Sequence, residues 1–299
     1  MSQPFAVPSR CTLCPRRCGA DRAAGQPGFC RGGASLRVAR AAPHYWEEPC
    51  VSGKNGSGCV FFAGCNLGCV YCQNYGISAG DGGREISVGR LAEIFRELEA
   101  QGVHNLNLVT GTHYAPWIRA ALDLARPRLP VVWNTGGYET VEAVDAMEGY
   151  VQVWLPDLKY LDPARSARYS RAPDYFEIAI AAVRRMVEQA GPVVLDENGL
   201  IQSGVIVRHM PLPHGKDDSI ALLEALARAV PPDRIRLSLL RQYVPCGRAE
   251  EYPEINRRLS SYEYDRVAAR AADLGFDGYT QERGSADSGY TPLFDGTGV

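Results

Sequence analysis

Apolar and polar positions alternate in two different ways along the chain from residue 59 onwards. Leu91, Ile94, Phe95 and Leu98 follow the i, i+3, i+4, i+7 spacing that places apolar side chains on one face of a helix. Short continuous apolar runs, such as 131–133, are instead typical of strands buried on both faces. The predicted strands are 60–63, 106–109, 131–133, 151–155, 204–209, 235–240 and 276–281. The predicted helices are 91–98, 117–125, 141–147, stretches within 163–189, 220–230 and 262–274.

These alternating strands and helices predict an α/β fold. Repeated β–α units with right-handed crossovers form a parallel sheet that is covered by helices. About six units predict a partial (β/α)6 TIM-like barrel rather than a closed eight-stranded one. Residues 193–202 interrupt the repeat as a predicted hairpin around Asn198-Gly199, the favoured two-residue turn. In barrel folds the reactive groups lie at the C-terminal ends of the strands, so we expect the site there.

Residues 1–48 differ in composition from the rest, because they are rich in Cys, Arg, Gly and Pro and show little periodicity. Cys11, Cys14, Cys18 and Cys30 have the spacing C-x2-C-x3-C-x11-C, which suits a zinc ion or a complete iron–sulfur cluster. A metal would supply the folding energy that so short and polar a segment lacks. Unligated or disulfide-bonded cysteines are the alternative, and the spacing does not choose between zinc and iron–sulfur. We therefore expect a metal-binding segment over 1–48, a barrel over 49–284 and a C-terminal tail over 285–299.

Composition narrows the class of protein further. The 299 residues are 45% apolar and carry a formal net charge of −2, which gives no electrostatic footprint for nucleic acid. No apolar run is long enough to span a bilayer, and the first eight residues lack the basic and apolar regions of a signal peptide. Clustered cysteines without such a signal favour metal binding in a reducing compartment. We expect a cytoplasmic protein without a nucleic-acid or membrane partner.

The stretch from Cys59 to Tyr75 carries the strongest chemical signal. An apolar run ends in a glycine, and Cys65, Cys69 and Cys72 follow with the spacing C-x3-C-x2-C. Three thiolates on one loop can hold three irons of a cubane cluster and leave the fourth iron open, as a catalytic metal requires. Buried thiols or a zinc knuckle are the alternative reading. The roles of the three other cysteines stay open, with a buried thiol favoured for the first two: Cys50, Cys59 and Cys246.

Polar residues follow the predicted strands and would meet at one edge of the sheet. Such loops suit a concave site for a polar ligand. An ion pair, a helix cap or a hydrogen-bonded histidine would be the structural alternative for individual members. These candidates are Thr110, Thr112, His113, Asn134, Asp157, Lys159, Arg208 and His209.

The cysteine triple, with Tyr71 just ahead of its last member, resembles the signature of radical S-adenosylmethionine (SAM) enzymes. The resemblance implies that the three cysteines hold a catalytic 4Fe-4S cluster whose open iron is chelated by the amino and carboxylate groups of SAM. Reduction then cleaves SAM to methionine and a 5′-deoxyadenosyl radical, which abstracts a hydrogen atom. Tyr71 and the strand-end residues are the implied cofactor-binding set.

The likeness extends over most of residues 10–282, and its motifs resemble the family of homologues of pyruvate formate-lyase activating enzyme. It rests on the four N-terminal cysteines with Cys-x-Leu-Cys-Pro-Arg-x-Cys, and on the runs 46–50, 112–114, 155–160 and 207–209. Asp157 and Lys159 match the Asp-x-Lys of those activases. Residues 110–113 stand where the activases have a Gly-Gly-Glu type motif. The additional cysteines precede the triple here, whereas classical activases carry theirs after it.

The resemblance implies an oxidoreductase that abstracts hydrogen from a protein or peptide substrate. Installation of a glycyl radical on a partner enzyme is the first candidate reaction, and a flavodoxin or ferredoxin is the implied reductant. Modification of a peptide or of a small metabolite is the alternative within the superfamily. A non-catalytic iron–sulfur redox sensor is the alternative from another class.

Overall fold

The computed structural model describes residues 5–79, 82–286 and 288–299 as a sheet flanked by α-helices. The strands are β1 (Leu36–His44), β2 (Ser57–Phe62), β3 (Arg84–Ile86), β4 (Leu106–Val109), β5 (Val131–Thr135), β6 (Val153–Pro156), β7 (Val194–Leu195), β8 (Ile201–His209), β9 (Arg236–Leu239) and β10 (Gly278–Thr280). The helices are α1 (Pro49–Ser52), α2 (Tyr75–Ser78), α3 (Val88–Ala100), α4 (Ala115–Ala125), α5 (Val141–Asp145), α6 (Pro163–Ser170), α7 (Tyr175–Ala190), α8 (Lys216–Ala229) and α9 (Ser261–Asp273). Within these residues, no helix combines the length and apolar character needed to cross a membrane.

The strands are ordered β10-β9-β8-β6-β5-β4-β2-β1-β3, and β7 pairs with β8. From β2 to β10 every neighbouring pair along this order is parallel. The parallel strands therefore add to the sheet in chain order, which is the arrangement that successive right-handed crossovers produce. The predicted α/β fold with a mostly parallel sheet is confirmed, and its curvature into a partial barrel stays a prediction.

Most predicted elements appear within a few residues of their expected bounds. The amphipathic stretch 91–98 lies inside α3, and the strand predicted at 106–109 is β4. A strand that the sequence did not predict is β1, which pairs antiparallel with β2 from Val38 to His44. The sheet therefore begins before residue 48, inside the cysteine-rich segment.

The hairpin at residues 193–202 is present, but the two-residue turn predicted for it is wrong. The Asp196 amide donates to the Leu200 carbonyl, and the Gly199 amide donates to the Asp196 carbonyl. The Asp196 carboxylate also accepts from the amides of Asn198 and Leu200. Three residues therefore lie between the paired positions, and the positive φ of +75° falls on Gly199 alone within the turn.

The two faces of the sheet are different, because successive side chains of a strand point to opposite sides. Leu106, Leu108 and Val207 join the core beneath the helices. On the opposite face, Val132, Val153, Leu155 and Ile206 pack against Val51 of α1. Asn107 and Arg208 alternate with the helix-side residues and so belong to this second face. The second face therefore carries polar groups above an apolar floor.

We expect Leu108→Ala to lower the free energy of unfolding by about 2–5 kcal/mol, because it leaves a cavity in a fully buried central strand. Urea unfolding followed by circular dichroism measures the change. Leu124→Ala is the matched control, since the Leu124 side chain is 54% exposed and its loss should cost less than about 0.5 kcal/mol. Equal effects of the two substitutions would contradict the assigned core.

Candidate functional site

The cysteine loop begins directly after β2 with a turn that needs glycine. Gly64 has a φ of +88°, and a Cβ built there would lie 2.1 Å from the carbonyl oxygen of Cys30. The Gly64 amide donates to the Ile77 carbonyl at 2.8 Å. A side chain at this position would push the N-terminal segment away from the loop. Cys65 therefore starts its loop from a fixed backbone position.

Each sulfur of the triple receives a hydrogen bond. The Cys65 sulfur accepts from the Leu67 amide at 3.4 Å, and the Cys72 sulfur faces the Asn74 amide. The Cys69 sulfur accepts from the Ser170 hydroxyl at 3.0 Å. Such donors stabilise thiolate over thiol, which suits metal ligation.

Burial acts in the opposite direction on these sulfurs. It raises the pKa of Cys69, and it raises the pKa of Cys72 to about 12. Buried thiolates therefore need a positive partner at neutral pH, and iron ions would supply one. By donor set, loop position and chemistry the triple fits a 4Fe-4S cluster. Within the described residues, no three His, Cys, Asp or Glu side chains surround one point closely enough for a single metal ion.

A hydrogen-bonded chain connects Cys69 to the tyrosine that precedes the last cysteine. The Ser170 and Tyr160 hydroxyl oxygens lie 2.9 Å apart, and the Tyr160 and Tyr71 hydroxyl oxygens lie 2.5 Å apart. The Tyr71 ring also makes edge contacts with Tyr169 and Tyr243. Tyr71 is thus buried in an aromatic cluster that supports the loop from below, and its contact with SAM stays a prediction.

The polar face of the sheet brings together strand-end residues and two glutamates from the segment before α1. The Arg208 guanidinium pairs with Glu47, and with Glu48 at 2.5 Å. The Glu47 carboxylate also accepts from Asn107 at 3.1 Å and from Asn134 at 3.4 Å. Burial alone would raise the pKa of Glu48, but the Arg208 charge holds that pKa below its usual range. We call these five residues the acidic cluster.

Sequence reasoning had assigned Asn134 and Arg208 to the site and had overlooked both glutamates as site residues. Their available signal was a pair of adjacent carboxylates immediately before the buried helix α1. A pattern of that kind is usually a solvated pair, since carboxylates are seldom fully buried without a partner. Only the approach of Arg208, 160 residues later in the chain, makes Glu48 a buried residue.

Asp157 and Lys159 form an ion pair at the end of β6, with the Lys159 ammonium 2.6 Å from the Asp157 carboxylate. The side chains are 27% and 18% exposed respectively, so both are partly open to solvent. The Tyr175 hydroxyl accepts from the Lys159 amide and fixes the turn between them. Lys159 lies near enough to Cys69 to favour its thiolate. The structure therefore places this pair beside the cysteine loop.

Four other predicted residues are bound to neighbouring groups or lie in a turn. The Thr112 hydroxyl donates to the buried Glu139 carboxyl, which also accepts from Thr135 at 2.5 Å. His113 and His209 bond the carbonyls of Ala63 and Leu158 at 2.8 and 2.6 Å. Thr110 has a φ of +60°, and its amide donates to the Asn134 carbonyl at 2.8 Å.

Burial lowers the pKa of both His113 and His209 to about 4, so both rings are neutral at pH 7. Burial also raises the pKa of Glu139, a residue that sequence reasoning had missed. Its signal lay in the run Thr135-Gly-Gly-Tyr-Glu139 directly after β5. The SAM contacts predicted for Thr110, Thr112, His113 and His209 stay predictions.

The cysteines outside the triple occupy three different environments. Cys11, Cys14 and Cys30 are buried together with the more exposed Cys18 in the N-terminal segment. Cys50 and Cys59 are buried free thiols, and the Cys59 sulfur lies 3.7 Å from the Glu47 carboxylate. The Cys246 sulfur donates to the Tyr71 carbonyl at 3.1 Å, so it lies against the cysteine loop.

A parallel α/β sheet with a thiol loop and charged residues at the same edge defines a candidate metal-dependent active site. The model of the radical SAM superfamily matches residues 59–203, which include most of β2, the cysteine loop and β4 to β6. Residues 59–203 are therefore similar to the radical SAM superfamily domain. That domain implies an enzyme that uses a 4Fe-4S cluster and SAM.

Similar proteins were also found over longer stretches. The chain is 29% identical over 277 residues to "Uncharacterized protein MJ0674" of Methanocaldococcus jannaschii, with 89% of this chain and 75% of that protein covered. Among solved structures it resembles Streptococcus suis SuiB bound to S-adenosylmethionine, with 12% identity, a TM-score of 0.49, and 73% of this chain and 48% of that chain covered. SuiB bound to precursor peptide SuiA matches with 12% identity, a TM-score of 0.46, and coverages of 70% and 43%. The chain spans about half the length of these two solved structures.

We expect Ser170→Ala to lower the midpoint potential of a 4Fe-4S cluster reconstituted on Cys65, Cys69 and Cys72. The substitution removes a donor to Cys69, so the thiolate becomes a stronger electron donor and disfavours the reduced cluster. A redox titration followed by electron paramagnetic resonance measures the potential. Ser166→Ala is the matched control, because Ser166 lies on the same helix and bonds the Pro163 carbonyl instead. An unchanged potential in Ser170→Ala would contradict the assigned hydrogen bond.

We expect His209 to make the protein less stable as the pH falls below the ordinary histidine value. Burial lowers the pKa of His209 from its ordinary 6.5 to about 4 in the folded protein, so the unfolded chain takes up the proton more readily. This contribution is present above pH 6.5 and is lost progressively as the pH falls towards 4. Between pH 7 and pH 5 the loss should be about 2 kcal/mol. Urea unfolding at both pH values should show a smaller loss in His209→Asn, and identical losses would contradict the assignment.

Proposed function

We propose that the protein is a radical SAM enzyme whose cluster is held by Cys65, Cys69 and Cys72, and whose substrate is a protein or a peptide. The observation that carries this proposal is the cysteine loop itself. Its three sulfurs lie on one loop at the carboxyl edge of a parallel sheet, and each sulfur accepts a hydrogen bond. Three thiolate ligands leave one iron of a cubane cluster open for a substrate or cofactor.

When bound, such a cluster supplies the electron that cleaves SAM to methionine and the 5′-deoxyadenosyl radical. The residues of the chain bind and orient the reactants. The methionine end of SAM carries an ammonium and a carboxylate side by side. Asp157 and Lys159 offer the opposite charges at the same short separation, and both are partly exposed beside Cys69. We assign them to this end of SAM.

The charge of the polar face supports a cationic ligand. Asp157, Glu47 and Glu48 contribute three carboxylates, whereas Lys159 and Arg208 contribute two cations, which leaves a formal charge of −1. SAM carries a net charge of +1 at neutral pH, because its sulfonium adds to a zwitterionic amino acid. A buried, low-dielectric wall makes this complementarity stronger than it would be in water. Asn134 and Arg208 are proposed to line the same side of the ligand.

The apolar floor below the acidic cluster excludes water from the proposed radical. Val51 of α1 packs there with Val132, Val153 and Leu155, all of them buried. A carbon-centred radical needs surroundings that do not react with it, and apolar side chains close the face opposite the helices. Hydrogen would be taken from a carbon of the substrate that enters from the open edge.

The substrate class rests on the motifs that resemble homologues of pyruvate formate-lyase activating enzyme. Installation of a glycyl radical on a partner enzyme is the first candidate, with a flavodoxin or ferredoxin as electron donor. Modification of a peptide or small metabolite is the alternative that the same site geometry would serve. A redox sensor would need the cysteines but not the charged residues that lie beside them at the end of β6.

We expect the anaerobically reconstituted protein to form 5′-deoxyadenosine when dithionite and SAM are added, as measured by mass spectrometry. The variant with Cys65→Ala, Cys69→Ala and Cys72→Ala should form none, since it lacks the cluster ligands. Cys50→Ala is the control for loss of a buried cysteine and should retain activity. A wild-type protein with full iron and sulfide content that forms no product with several reductants would overturn the enzyme proposal and favour the sensor.

A second readout separates the candidate substrates. Candidate partner proteins labelled with deuterium at glycine α-carbons should pass the label to 5′-deoxyadenosine if a glycyl radical is formed. Label transfer from another residue of a peptide would instead support peptide modification. Product formation without transfer from any protein or peptide would contradict the proposed substrate class.

A further inference from the structure

We propose that Cys11, Cys14, Cys18 and Cys30 form a second metal centre, a tetrathiolate site with two net negative charges, and that the buried Arg22 is its charge partner. The site lies outside the matched radical SAM domain at residues 59–203. The proposal does not depend on the catalytic activity proposed above.

The first observation is that these cysteines share the hydrogen-bond pattern of the cysteine loop that carries Cys65, Cys69 and Cys72. The Gly32 amide donates to the Cys30 sulfur at 3.4 Å, as the Leu67 amide does to the Cys65 sulfur. In both cases the donor is the amide two residues after the cysteine. The same i, i+2 relation between amide and sulfur recurs at Cys14, Cys18 and Cys72. Amides that turn towards sulfurs stabilise thiolates, and a thiol is only a weak acceptor.

The second observation is the convergence of the four thiols within a segment that has little core of its own. A Cβ built at Gly28 would lie 3.2 Å from the Cys18 sulfur and 3.5 Å from the Cys30 sulfur. The Cys18 sulfur also contacts the Cys11 thiol. The sulfurs are gathered but do not surround one point, so metal binding includes rotation of cysteine side chains.

The turns around the cysteines are held in a costly conformation. Arg17 and Arg31 have φ angles of +39° and +63°, in the left-handed region that favours glycine. Arg17 lies three residues after Cys14, and Arg31 directly follows Cys30. Residues in this region cost roughly 1–3 kcal/mol each and persist when surrounding interactions over-determine them. Metal ligation at four points is an interaction of that kind.

The third and decisive observation is Arg22, whose side chain is completely buried. Its Nε and Nη1 donate to the carbonyls of Gly33 at 2.7 Å and His113 at 2.6 Å, and its Nη2 has no hydrogen-bond partner. A Cβ built at Gly32 would lie 3.0 Å from this Nη2 and 3.2 Å from the Cys30 sulfur. The unpartnered nitrogen therefore lies on the cysteine side of the guanidinium.

A buried guanidinium needs an anion, because neutral carbonyls do not balance a full charge in a low-dielectric interior. The Trp117 ring, 4.5 Å from the guanidinium carbon, offers a cation–π contact but no net negative charge. Neutral thiols would leave Arg22 uncompensated. Four thiolates on a zinc ion or on an oxidised 4Fe-4S cluster would compensate it and still leave a negative site.

The four N-terminal cysteines are also joined to the cysteine loop through Arg16, which lies between Cys14 and Cys18. Its guanidinium donates to the carbonyls of Asn66 at 2.7 Å and Leu67 at 3.2 Å, inside the loop. It donates as well to the Ser170 carbonyl at 2.9 Å, next to the hydroxyl that bonds Cys69. A metal that orders the four N-terminal cysteines therefore also holds the backbone of the cysteine loop in position through Arg16.

The test uses the full chain with Cys65→Ala, Cys69→Ala and Cys72→Ala, so that metal at the catalytic loop does not contribute. Samples are reconstituted anaerobically with zinc alone, or with iron and sulfide, and the bound metal and sulfide are counted. We expect either about one zinc without sulfide or about four irons with about four sulfides per chain. Both results support the tetrathiolate centre and name its metal. Adding Cys14→Ala and Cys30→Ala should abolish the binding.

A folded triple variant that holds neither metal above the level of the quintuple variant would overturn the proposal. Metal in the triple variant combined with no 5′-deoxyadenosine from the wild type would leave this centre standing and reject the catalytic proposal. The two hypotheses can therefore fail separately.

Arg22 is tested by metal release to a chelator in the same triple variant. Arg22→Gln should weaken metal retention roughly 10- to 100-fold, as the loss of a residue that supports metal ligands commonly does. Arg22→Lys should restore much of it, since the charge is kept. Arg10→Gln, an exposed arginine of the same segment, is the control and should change little. Equal retention in Arg22→Gln and Arg10→Gln would contradict the role of Arg22.

Discussion

The organisation of this protein follows from the cost of burying sulfur atoms that must carry negative charge. Cys69 and Cys72 lie in surroundings that favour the neutral thiol. Hydrogen-bond donors from Ser170 and from the loop backbone act against this preference, and the Lys159 ammonium also favours the Cys69 thiolate. Iron would provide the remaining charge. The cysteine loop and its neighbours therefore fit the metal cluster that we propose for it.

The face of the sheet opposite the helices shows how alternation along strands creates a polar site inside an apolar protein. Ile206 joins the apolar floor, Val207 joins the helix-side core, and Arg208 returns to the polar face. Arg208 is tolerated there because Glu47 and Glu48 come from the segment before α1 and bind it. Removing one partner would leave an uncompensated buried charge, so the three residues form a unit. Their excess negative charge is the basis of the proposed complementarity to SAM, which is a cation.

The N-terminal segment does more than add cysteines to the chain. Its strand β1 extends the sheet, Arg16 binds carbonyls of the cysteine loop, and the Cys30 carbonyl packs on Gly64. Arg22 reaches the His113 carbonyl, while His113 holds Ala63 ahead of the loop. The segment and the catalytic loop therefore share contacts on two sides. A change of metal content at Cys11, Cys14, Cys18 and Cys30 would therefore act on the proposed cluster directly through these contacts.

The sequence by itself determined the features that depend on local spacing. The thiol triple, the amphipathic helix at α3 and the buried strand β4 were all readable, because cysteine spacing and periods of 3.6 and 2 are encoded within a few residues. The strand β1 and the true turn at Asp196–Leu200 were not, since the periodic pattern at residues 36–41 is too short to define a strand and the turn depends on one aspartate that binds two amides.

The tertiary structure decided which of the candidate polar residues meet. Glu48 binds Arg208 across 160 residues, and Arg16 binds Asn66 and Ser170 across 50 and 154 residues. Such partners are set by the register of parallel strands and by the crossovers between them, and no local pattern contains that information.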